Sequence, residues 1–449
     1  MIVCKFGGTS VQDAAGIGRL VEIVRDRLAE RPLLVVSALA GVTDELLGIA
    51  RLAGNGGNEP ARRVMALVTH HEETARQLPG AEAALDDIRS EAQSLAQELA
   101  ALAGRRITPR EIDAIAARGE LWSSRLITAA LAGGDVPVEW VDVRPIMVTD
   151  DRFGRATPYV QVLNNRARQH LCPILERGVV PLTQGFIGTT ATGVPTTFGR
   201  GGSDFSASLL GAALRASRVE IWTDVDGLMT ADPRVVPSAK TLAVASYEEA
   251  AELATFGAKV LHPATAVPLV REGIPIIVLN SRRPDHPGTT IEPSAEVERL
   301  GDSPIRSISW KKGITVINIR APRMLGAYGF LRQLFEIFER HEVVVDVLAS
   351  SEVSVSLTIE DPSHLDLVRR ELEDLGEIWV DEGRAIVAVV GIGLKTTPGL
   401  TARVFGAVKR TCVEVISQGA SAINMTFIVQ EADGPDVVRR LHQEFFGTC

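Results

Sequence analysis

The stretch that decides the fold is residues 1–10, MIVCKFGGTS, at the start of the chain. Its apolar letters are typical of a buried strand, Lys5 follows them, and GGTS (7–10) precedes a helical pattern over residues 11–28. Glycine permits close backbone approach and helix-start N–H groups attract anions, so a strand–turn–helix junction with a lysine suits phosphate. A solvated surface lysine beside an ordinary turn would give the same letters.

Composition indicates a globular chain of two or three domains, since its 449 residues are 45% apolar and 23% charged. The net charge of −9 argues against nucleic acid as the main partner. Neither an apolar run long enough to cross a membrane nor a secretory leader is found, so we expect a cytoplasmic protein without membrane partners. A plastid location would need a transit peptide that these residues do not contain. The four cysteines lack metal or disulfide spacing, so we expect free thiols and no protein-bound metal.

Strand and helix patterns alternate through roughly the first 290 residues. This alternation predicts an α/β fold with a mostly parallel sheet between two layers of helices, and ligands at the carboxyl ends of its strands. The predicted strands are residues 1–4, 32–39, 136–143, 179–188, 218–227 and 274–280, and helical patterns cover 59–103, 205–216 and 246–262.

An internal repeat follows a Pro-, Gly- and Ser-rich stretch at residues 284–303, which we interpret as a domain boundary. Each copy reads strand, helix, two strands, helix, and matching blocks are separated by a constant 70 residues, which indicates two copies of one unit. The matched blocks are 315–319 with 385–389, 329–335 with 399–405, 342–359 with 412–429 and 368–370 with 438–440.

The second copy has no room for a closing strand, whereas residues 304–310 form an unassigned strand before the first copy. We therefore expect the first copy to be inserted in the second. The predicted domains are 1–296, a linker at 297–303, a first βαββαβ module at 313–384, and a second module formed by 304–312 plus 385–449.

A second Gly-Gly turn occurs in RGGSDFSASLL (200–210). Ser203 or Asp204 is predicted to cap the helix that follows, and Arg200 can grip a carboxylate through two hydrogen bonds. A plain capped helix with a flanking arginine would look the same. Two such turns in one sheet can face each other across a single site.

Three further stretches carry candidate residues. TDVDGLMTADPRV (223–235) suggests a loop around a nucleotide, or an ordinary pair of turns. Lys259 lies late in a helix predicted to stop at Pro263, where it compensates the helix dipole or meets phosphate. Glu120 lies on a largely apolar helix, where a carboxylate must be solvated or paired. Its partner would be a substrate ammonium group or a neighbouring arginine, Arg118 or Arg125.

Together these motifs closely resemble the aspartokinase family, over the whole chain. The resemblance implies an amino-acid-kinase (carbamate-kinase-like) domain over 1–296 and two C-terminal ACT modules of the α+β class in place of the repeat. The homoserine dehydrogenase half of bifunctional relatives is not found. The matching motifs are KFGGTSV (5–11), SALAGVTD (37–44), RFGRA (152–156), QGFIG (184–188), FGRGGSDFSA (198–207), TDVDG (223–227), DPR (232–234) and TFGAKVLHP (255–263).

The resemblance implies ATP-dependent phosphorylation of the β-carboxylate of L-aspartate to 4-phospho-L-aspartate, which leads to lysine, threonine and methionine. A carboxylate with a pKa of about 3.9 is already ionised at pH 7, so no general base is needed. Catalysis then requires alignment of two anions and neutralisation of charge on the transferred phosphoryl group. Mg²⁺ is expected with ATP, with few protein ligands.

The resemblance also assigns the site residues. Where some relatives have an aromatic residue this chain has Met229, whose thioether can pack against adenine. The assignments are Lys5 and Asp204 for catalysis, with Asp204 orienting the lysine; Ser37, Thr43, Glu120, Arg200 and Ser203 for aspartate; and Lys5, Gly7, Gly8, Gly202, Thr223, Asp224, Met229, Arg234 and Lys259 for ATP.

Regulation is expected to resemble that of lysine-inhibited relatives. Lysine is the leading effector, with threonine or no effector as alternatives, because Gly326, Ala327 and Val344 are less polar than in the best-matched bacterial forms. ACT modules typically pair between chains, so we expect a homodimer or larger. The assigned effector residues are Met324, Gly329, Phe330, Leu331, Val345, Asp346, Ser351 and Glu352.

Two other functions fit parts of the pattern. One is a kinase of the same fold for another acidic substrate, such as glutamate, acetylglutamate, carbamate or uridylate, although such enzymes generally lack the tandem repeat. The other is a non-catalytic amino-acid sensor built on the ACT repeat. Retention of Lys5, Arg200, Asp204 and Lys259 favours the aspartate kinase.

Overall fold

The computed structural model describes residues 1–256, 263–293 and 304–447, and these residues form two compact units. The first contains the described residues of 1–228, 243–247 and 263–293. The second contains those of 229–242, 248–256 and 304–447, so two segments that the sequence assigns to the first domain group with the second unit.

Strands and helices alternate along the first unit, and two short strand–helix repeats follow in the second. The strands, in chain order, are β1 (Ile2–Phe6), β2 (Pro32–Val36), β3 (Val138–Val141), β4 (Val148–Thr149), β5 (Val180–Gln184), β6 (Ile187–Thr190), β7 (Pro195–Thr197), β8 (Val219–Thr223), β9 (Val244–Ser246), β10 (Ile276–Asn280), β11 (Thr289–Glu292), β12 (Ile305–Arg320), β13 (Leu348–Ser350), β14 (Ser354–Ile359), β15 (Glu377–Gly391), β16 (Val415–Gln418) and β17 (Asn424–Gln430). The helices are α1 (Ala14–Arg27), α2 (Val42–Ala53), α3 (Glu59–Ala75), α4 (Leu85–Ala101), α5 (Pro109–Ala116), α6 (Arg118–Gly133), α7 (Val160–Glu176), α8 (Gly202–Leu214), α9 (Tyr247–Thr255), α10 (Pro263–Glu272), α11 (Phe330–Arg340), α12 (Leu365–Leu372), α13 (Leu400–Ala407) and α14 (Gly434–Phe446).

The central sheet of the first unit has the order β3-β5-β2-β1-β8-β10-β11-β9. Every pairing in it is parallel except that of β10 with β11. Every residue of β1, β2 and β5 is buried, as expected for parallel strands covered on both faces. The predicted α/β fold is confirmed.

Two local predictions for the first unit are wrong. Lys5 lies inside β1 rather than after it, because the strand continues through Phe6. The single strand predicted at 179–188 is two strands, β5 and β6, since Phe186 adopts a left-handed backbone (φ +67°) between them. Strand β6 then joins β4 and β7 in a separate three-stranded sheet.

The second unit contains a six-stranded antiparallel sheet of order β13-β14-β12-β15-β17-β16. Its two central strands each run through both copies of the repeat. Residues 305–312 of β12 pair with 385–391 of β15, and residues 314–320 pair with 377–384. Two buried apolar clusters lie along this sheet, one for each half. In the described part of the chain, no helix has the length and apolar character needed to cross a bilayer.

Candidate active site

A cavity of about 310 Å³ opens in the first unit beside the carboxyl ends of β1 and β2. Its walls come from the segments that follow these two strands, from α6, and from the turn before α8. It therefore brings together many of the residues predicted for aspartate and phosphate. The lining residues are Lys5, Gly8, Ser37, Ala38, Leu39, Ala40, Gly41, Thr43, Asp44, Glu120, Phe186, Gly199, Gly201, Gly202, Ser203 and Asp204.

Lys5 and Asp204 form an ion pair inside this cavity. The Lys5 ammonium Nζ lies 2.6 Å from Asp204 Oδ1, and Lys5 is only 8% exposed. Because a partly buried charge pair held by two rigid elements has little freedom, the Asp204 carboxylate fixes where the ammonium group points. The arrangement supplies one oriented positive charge at the end of β1.

The turn before α8 differs from its prediction. Neither Ser203 nor Asp204 caps the helix. The N-cap is Gly201, which has a left-handed backbone (φ +73°), and α8 begins at the next residue, Gly202. Ser203 and Asp204 therefore lie in the first helical turn, which leaves the Asp204 carboxylate free to pair with Lys5. A Cβ on Gly202 would lie 2.8 Å from the Phe186 ring, so the helix start packs too closely for any side chain.

The Gly-Gly turn after β1 also differs in detail. Residues Gly8–Ser10 form a single 3-10 turn, and α1 begins only at Ala14, where Asp13 accepts a hydrogen bond from Gly16 N at 2.7 Å. The Gly7 N–H donates to Trp222 O at 3.1 Å, which joins this turn to the end of β8. The N-terminus of α1 is thus capped by its own aspartate, and the short turn remains beside the cavity.

Glu120 on α6 is a buried carboxylate with an incomplete set of partners. It is 2% exposed, and its Oε1 accepts long hydrogen bonds from Ala38 N (3.5 Å) and Thr43 Oγ1 (3.4 Å). Its Oε2 has no hydrogen-bond partner among the described residues. Burial raises the pKa of Glu120 to about 8, against which those hydrogen bonds act weakly.

The arginines considered as partners of Glu120 bind elsewhere. Arg118 pairs with Glu98 at 2.9 Å, and Arg125 pairs with Asp87 at 2.8 Å. No ion pair engages Glu120 among the described residues, so this buried carboxylate in a cavity is suited to receive a cation from a ligand. Chemically, the site offers an acceptor for an ammonium group.

The remaining residues predicted for aspartate lie around the same cavity. Ser37 follows β2, and its carbonyl oxygen accepts a hydrogen bond from Ser123 Oγ on α6 at 2.9 Å. Arg200 is exposed, and no ion pair to a carboxylate of the described residues engages it. It lies between Gly199 and Gly201, both of which line the cavity. Its guanidinium is available to an anionic ligand.

The residues predicted to bind the nucleotide are divided between the two units. Thr223, the last residue of β8, donates to Asp224 at 3.2 Å, and both belong to the first unit. Met229 and Arg234 belong to the second unit, where Arg234 pairs with Asp232 at 2.7 Å. Lys259 lies outside the described residues, and α10 begins at Pro263. The roles of these residues stay predictions.

The predicted effector residues all belong to the second unit. Phe330 is buried in the apolar cluster of the first module, and Val345 packs against the same cluster. Leu331, Ser351 and Glu352 are exposed. The other three positions are Met324 in a 3-10 turn, Gly329 at the N-cap of α11, and Asp346 before β13.

Asp346 is the effector residue with a perturbed carboxyl group. Partial burial, followed by the nearby Glu360 carboxylate, raises its pKa to about 6, and the Lys311 ammonium opposes this shift. The residue as a whole remains exposed, so only its carboxyl end is partly buried, and the Glu360 carboxylate adds to the rise in pKa. Lys311 itself pairs with Glu360.

Some cavity residues were not assigned a role from the sequence. Phe186 lines the cavity in a left-handed conformation that is rare for a bulky residue, and its N–H donates to Ser206 Oγ at 3.0 Å. The backbone of residues 38–41 forms another wall. The motifs SALAGVTD (37–44) and QGFIG (184–188), which overlap the ends of two predicted strands, were the signal for both walls. Nothing in the sequence indicates that Phe186 adopts a left-handed backbone conformation.

Comparison with known proteins agrees with this geometry. The amino acid kinase family model matches residues 1–280, and an ACT domain model matches residues 387–445. Lysine-sensitive aspartokinase 3 of Escherichia coli (strain K12) is 39% identical over 461 residues, which cover 99% of each chain.

Solved structures give the same relationship. The chain resembles E. coli aspartokinase III in complex with lysine and aspartate (T-state) with a TM-score of 0.85, at 38% identity over 99% of both chains. It resembles the same enzyme in complex with aspartate and ADP (R-state) with a TM-score of 0.84, at 38% identity over 99% of this chain and 100% of that one. This chain therefore belongs to the aspartokinase family, whose members are phosphotransferases that act on the carboxyl group of aspartate.

Proposed function

We propose that the cavity beside β1 and β2 binds L-aspartate and the terminal phosphates of ATP, and that the products are ADP and 4-phospho-L-aspartate. The observation that carries the proposal is Glu120, a buried carboxylate whose Oε2 has no hydrogen-bond partner in the part of the chain that the structure describes, in the same cavity as the Lys5–Asp204 pair. The E. coli relative has been solved with aspartate and ADP, which supports both ligands.

In the proposed complex, Glu120 accepts the ammonium group of aspartate and Arg200 binds its α-carboxylate. A charge-assisted pair inside a cavity is stronger than one in water, so the empty site favours a cationic group. The two contacts leave the β-carboxylate as the free end of the substrate. It is ionised at neutral pH and attacks the γ-phosphorus without a general base.

Lys5 neutralises charge on the phosphoryl group as it moves between the two anions. Its ammonium group is already oriented by Asp204, so little reorganisation is needed in the transition state. Backbone N–H groups around Gly8 and Gly202, where the chain carries no side chain, complete the phosphate contacts. Ser37, Thr43 and Ser203 supply hydroxyl groups beside the substrate.

Mg²⁺ enters this scheme as part of the ATP complex, where it shields phosphate charge. The described residues contain no cluster of three or more potential metal ligands, and Asp204 already pairs with Lys5. The exposed Asp224 remains available beside the nucleotide. These side chains fit a metal held mainly by phosphates and water rather than by a protein cage.

Lysine is the proposed effector, and the second unit is its proposed site. The E. coli relative is described as lysine-sensitive, and one of its structures contains lysine. Asp346 and Glu352 are the carboxylates we assign to the ammonium groups of the effector. The domain boundaries given above, a homo-oligomer through the ACT modules, and a cytoplasmic location belong to the same proposal.

The test is ATP-dependent acyl-phosphate formation, trapped with hydroxylamine, with Mg²⁺ present. We expect hydroxamate from L-aspartate and none from L-glutamate, and loss of product with millimolar L-lysine but not with L-threonine. Product from glutamate alone would indicate a different kinase of this fold. No product from folded protein would contradict the proposed reaction.

A further inference from the structure

A second buried carboxylate, Asp113 on α5, lies outside the cavity and contacts two separate segments of the first unit. It is 2% exposed. Its Oδ2 accepts hydrogen bonds from Gly154 N at 2.9 Å and from Thr197 N at 2.8 Å, and its Oδ1 accepts one from Thr197 Oγ1 at 2.9 Å. A buried carboxylate is costly to keep unless such donors compensate it, so these contacts are strongly specified.

The segments held by Asp113 lead directly to Arg200. Thr197 ends β7, three residues before Arg200, and Thr197 O accepts a hydrogen bond from Ala156 N at 2.9 Å. Gly199 has φ +74°, and a Cβ built on it would lie 2.7 Å from Gly154 O. The backbone that carries Arg200 is therefore packed against the loop around Gly154, and Asp113 binds both.

The helix that carries Asp113, α5, leads directly into α6, which carries Glu120. Helices α5 and α6 are joined by Ala117 alone, which keeps a right-handed helical backbone and donates its N–H to Asp113 O at 3.0 Å. Positions 113 and 120 are therefore only seven residues apart on two directly joined helices. One carboxylate faces the cavity, and the other holds the strand that leads to Arg200.

We propose that Asp113 is a positioning residue that fixes the separation between Glu120 and Arg200, and so selects a substrate whose ammonium and carboxylate groups share one carbon. The inference rests on the proposed function, in which these two side chains bind the α-amino acid end of aspartate. Asp113 touches no reactant, and it acts by holding the Arg200 segment at a set distance from α6.

The first test compares KM values for aspartate and ATP. Asp113→Ala removes three hydrogen bonds and leaves the N–H groups of Gly154 and of the buried Thr197 without this acceptor, so we expect KM for aspartate to rise by about tenfold or more, with KM for ATP within about twofold. Asp113→Asn should restore KM for aspartate to within about threefold, because its Oδ1 accepts both N–H groups and Thr197 Oγ1 accepts from its Nδ2.

The matched control is Thr108→Ala. Thr108 caps the same helix through a capping box and is exposed, so its loss weakens α5 without touching the Arg200 segment. It should leave KM for aspartate unchanged. If Asp113→Ala does not fold, Thr197→Val removes one contact of the same carboxylate and should raise KM for aspartate by a few-fold.

A double-mutant cycle with Arg200→Ala tests the route of the effect. If Asp113 acts through Arg200, adding Asp113→Ala to Arg200→Ala should change KM for aspartate by less than about twofold. Additive effects, equal rises in both KM values, or a wild-type KM in Asp113→Ala would overturn the inference. A failure of the proposed function is distinguishable, because the wild-type chain would then form no acyl phosphate from aspartate.

Discussion

Raising the pH should strengthen the binding of L-aspartate through Glu120. Because its pKa is raised to about 8, the Glu120 carboxyl group is mostly protonated at pH 7 when no substrate is bound. Only the ionised carboxylate attracts the substrate ammonium group, which stays protonated over this range. Ionising Glu120 at pH 7 costs about 1 to 2 kcal/mol of binding free energy, and this cost disappears above pH 8.

The predicted KM for aspartate therefore falls about tenfold from pH 6 to pH 7, about fivefold from pH 7 to pH 8 and about twofold from pH 8 to pH 9, where it levels off. The free energy of unfolding of the protein without aspartate changes in the opposite direction, and falls as the pH rises. The contribution of Glu120 to the free energy of unfolding is fully present below pH 4.5 and is lost as pH rises through about 8. Initial rates at saturating ATP, measured by hydroxamate formation at each pH, give the KM profile.

Glu120→Gln should abolish the slope. Glutamine keeps the shape but has no charge, so KM for aspartate should become independent of pH and exceed the wild-type value at pH 8 by about 10- to 100-fold. Glu98→Gln, which removes the exposed partner of Arg118 at the start of α6, should keep the wild-type profile. A flat wild-type profile, or the same slope in Glu120→Gln, would refute this reasoning.

Three further predictions concern the phosphate contacts and the effector. Lys5→Ala should lower kcat by about 10²- to 10³-fold while calorimetry still detects lysine binding, and near-normal turnover would contradict the role of Lys5. Gly202→Ala forces a Cβ against Phe186, so it should lower the unfolding midpoint and kcat/KM, with a loss of about 1 to 3 kcal/mol in the free energy of unfolding. Gly18→Ala on α1 has open space around it and should be neutral or stabilising. Asp346→Asn should abolish inhibition by lysine. In the wild type, this inhibition should strengthen from pH 5 to pH 7, because a carboxyl group of pKa about 6 ionises over that range. Unchanged inhibition in Asp346→Asn would show that Asp346 does not belong to the effector site.

The sequence predicted the fold well where a single pattern, such as an apolar run or a repeat spacing, was sufficient. Continuous apolar runs identified the parallel strands, because strands covered on both faces tolerate few polar residues. The constant spacing of the repeat identified two copies of one unit, although the pattern could not show that β12 and β15 each pass unbroken through both copies. That continuity depends on pairing between strands far apart in the chain.

The site was predictable by residue type but not by conformation. The letters allowed Ser203 or Asp204 as a cap, and the left-handed Gly201 took that position instead, which leaves Asp204 for Lys5. Periodicity on α6 left open whether an arginine neutralises Glu120. Only the three-dimensional arrangement, in which Arg118 and Arg125 turn to other carboxylates, gave the answer.

The claim on which the account rests is that Glu120 receives the ammonium group of aspartate. Calorimetric titration with L-aspartate, in two buffers of different ionisation enthalpy, counts the protons released on binding. A carboxyl of pKa about 8 should release about 0.9 proton at pH 7 and about 0.1 at pH 9, and Glu120→Gln should release none at either pH. Binding of aspartate at pH 7 without proton release would contradict the account.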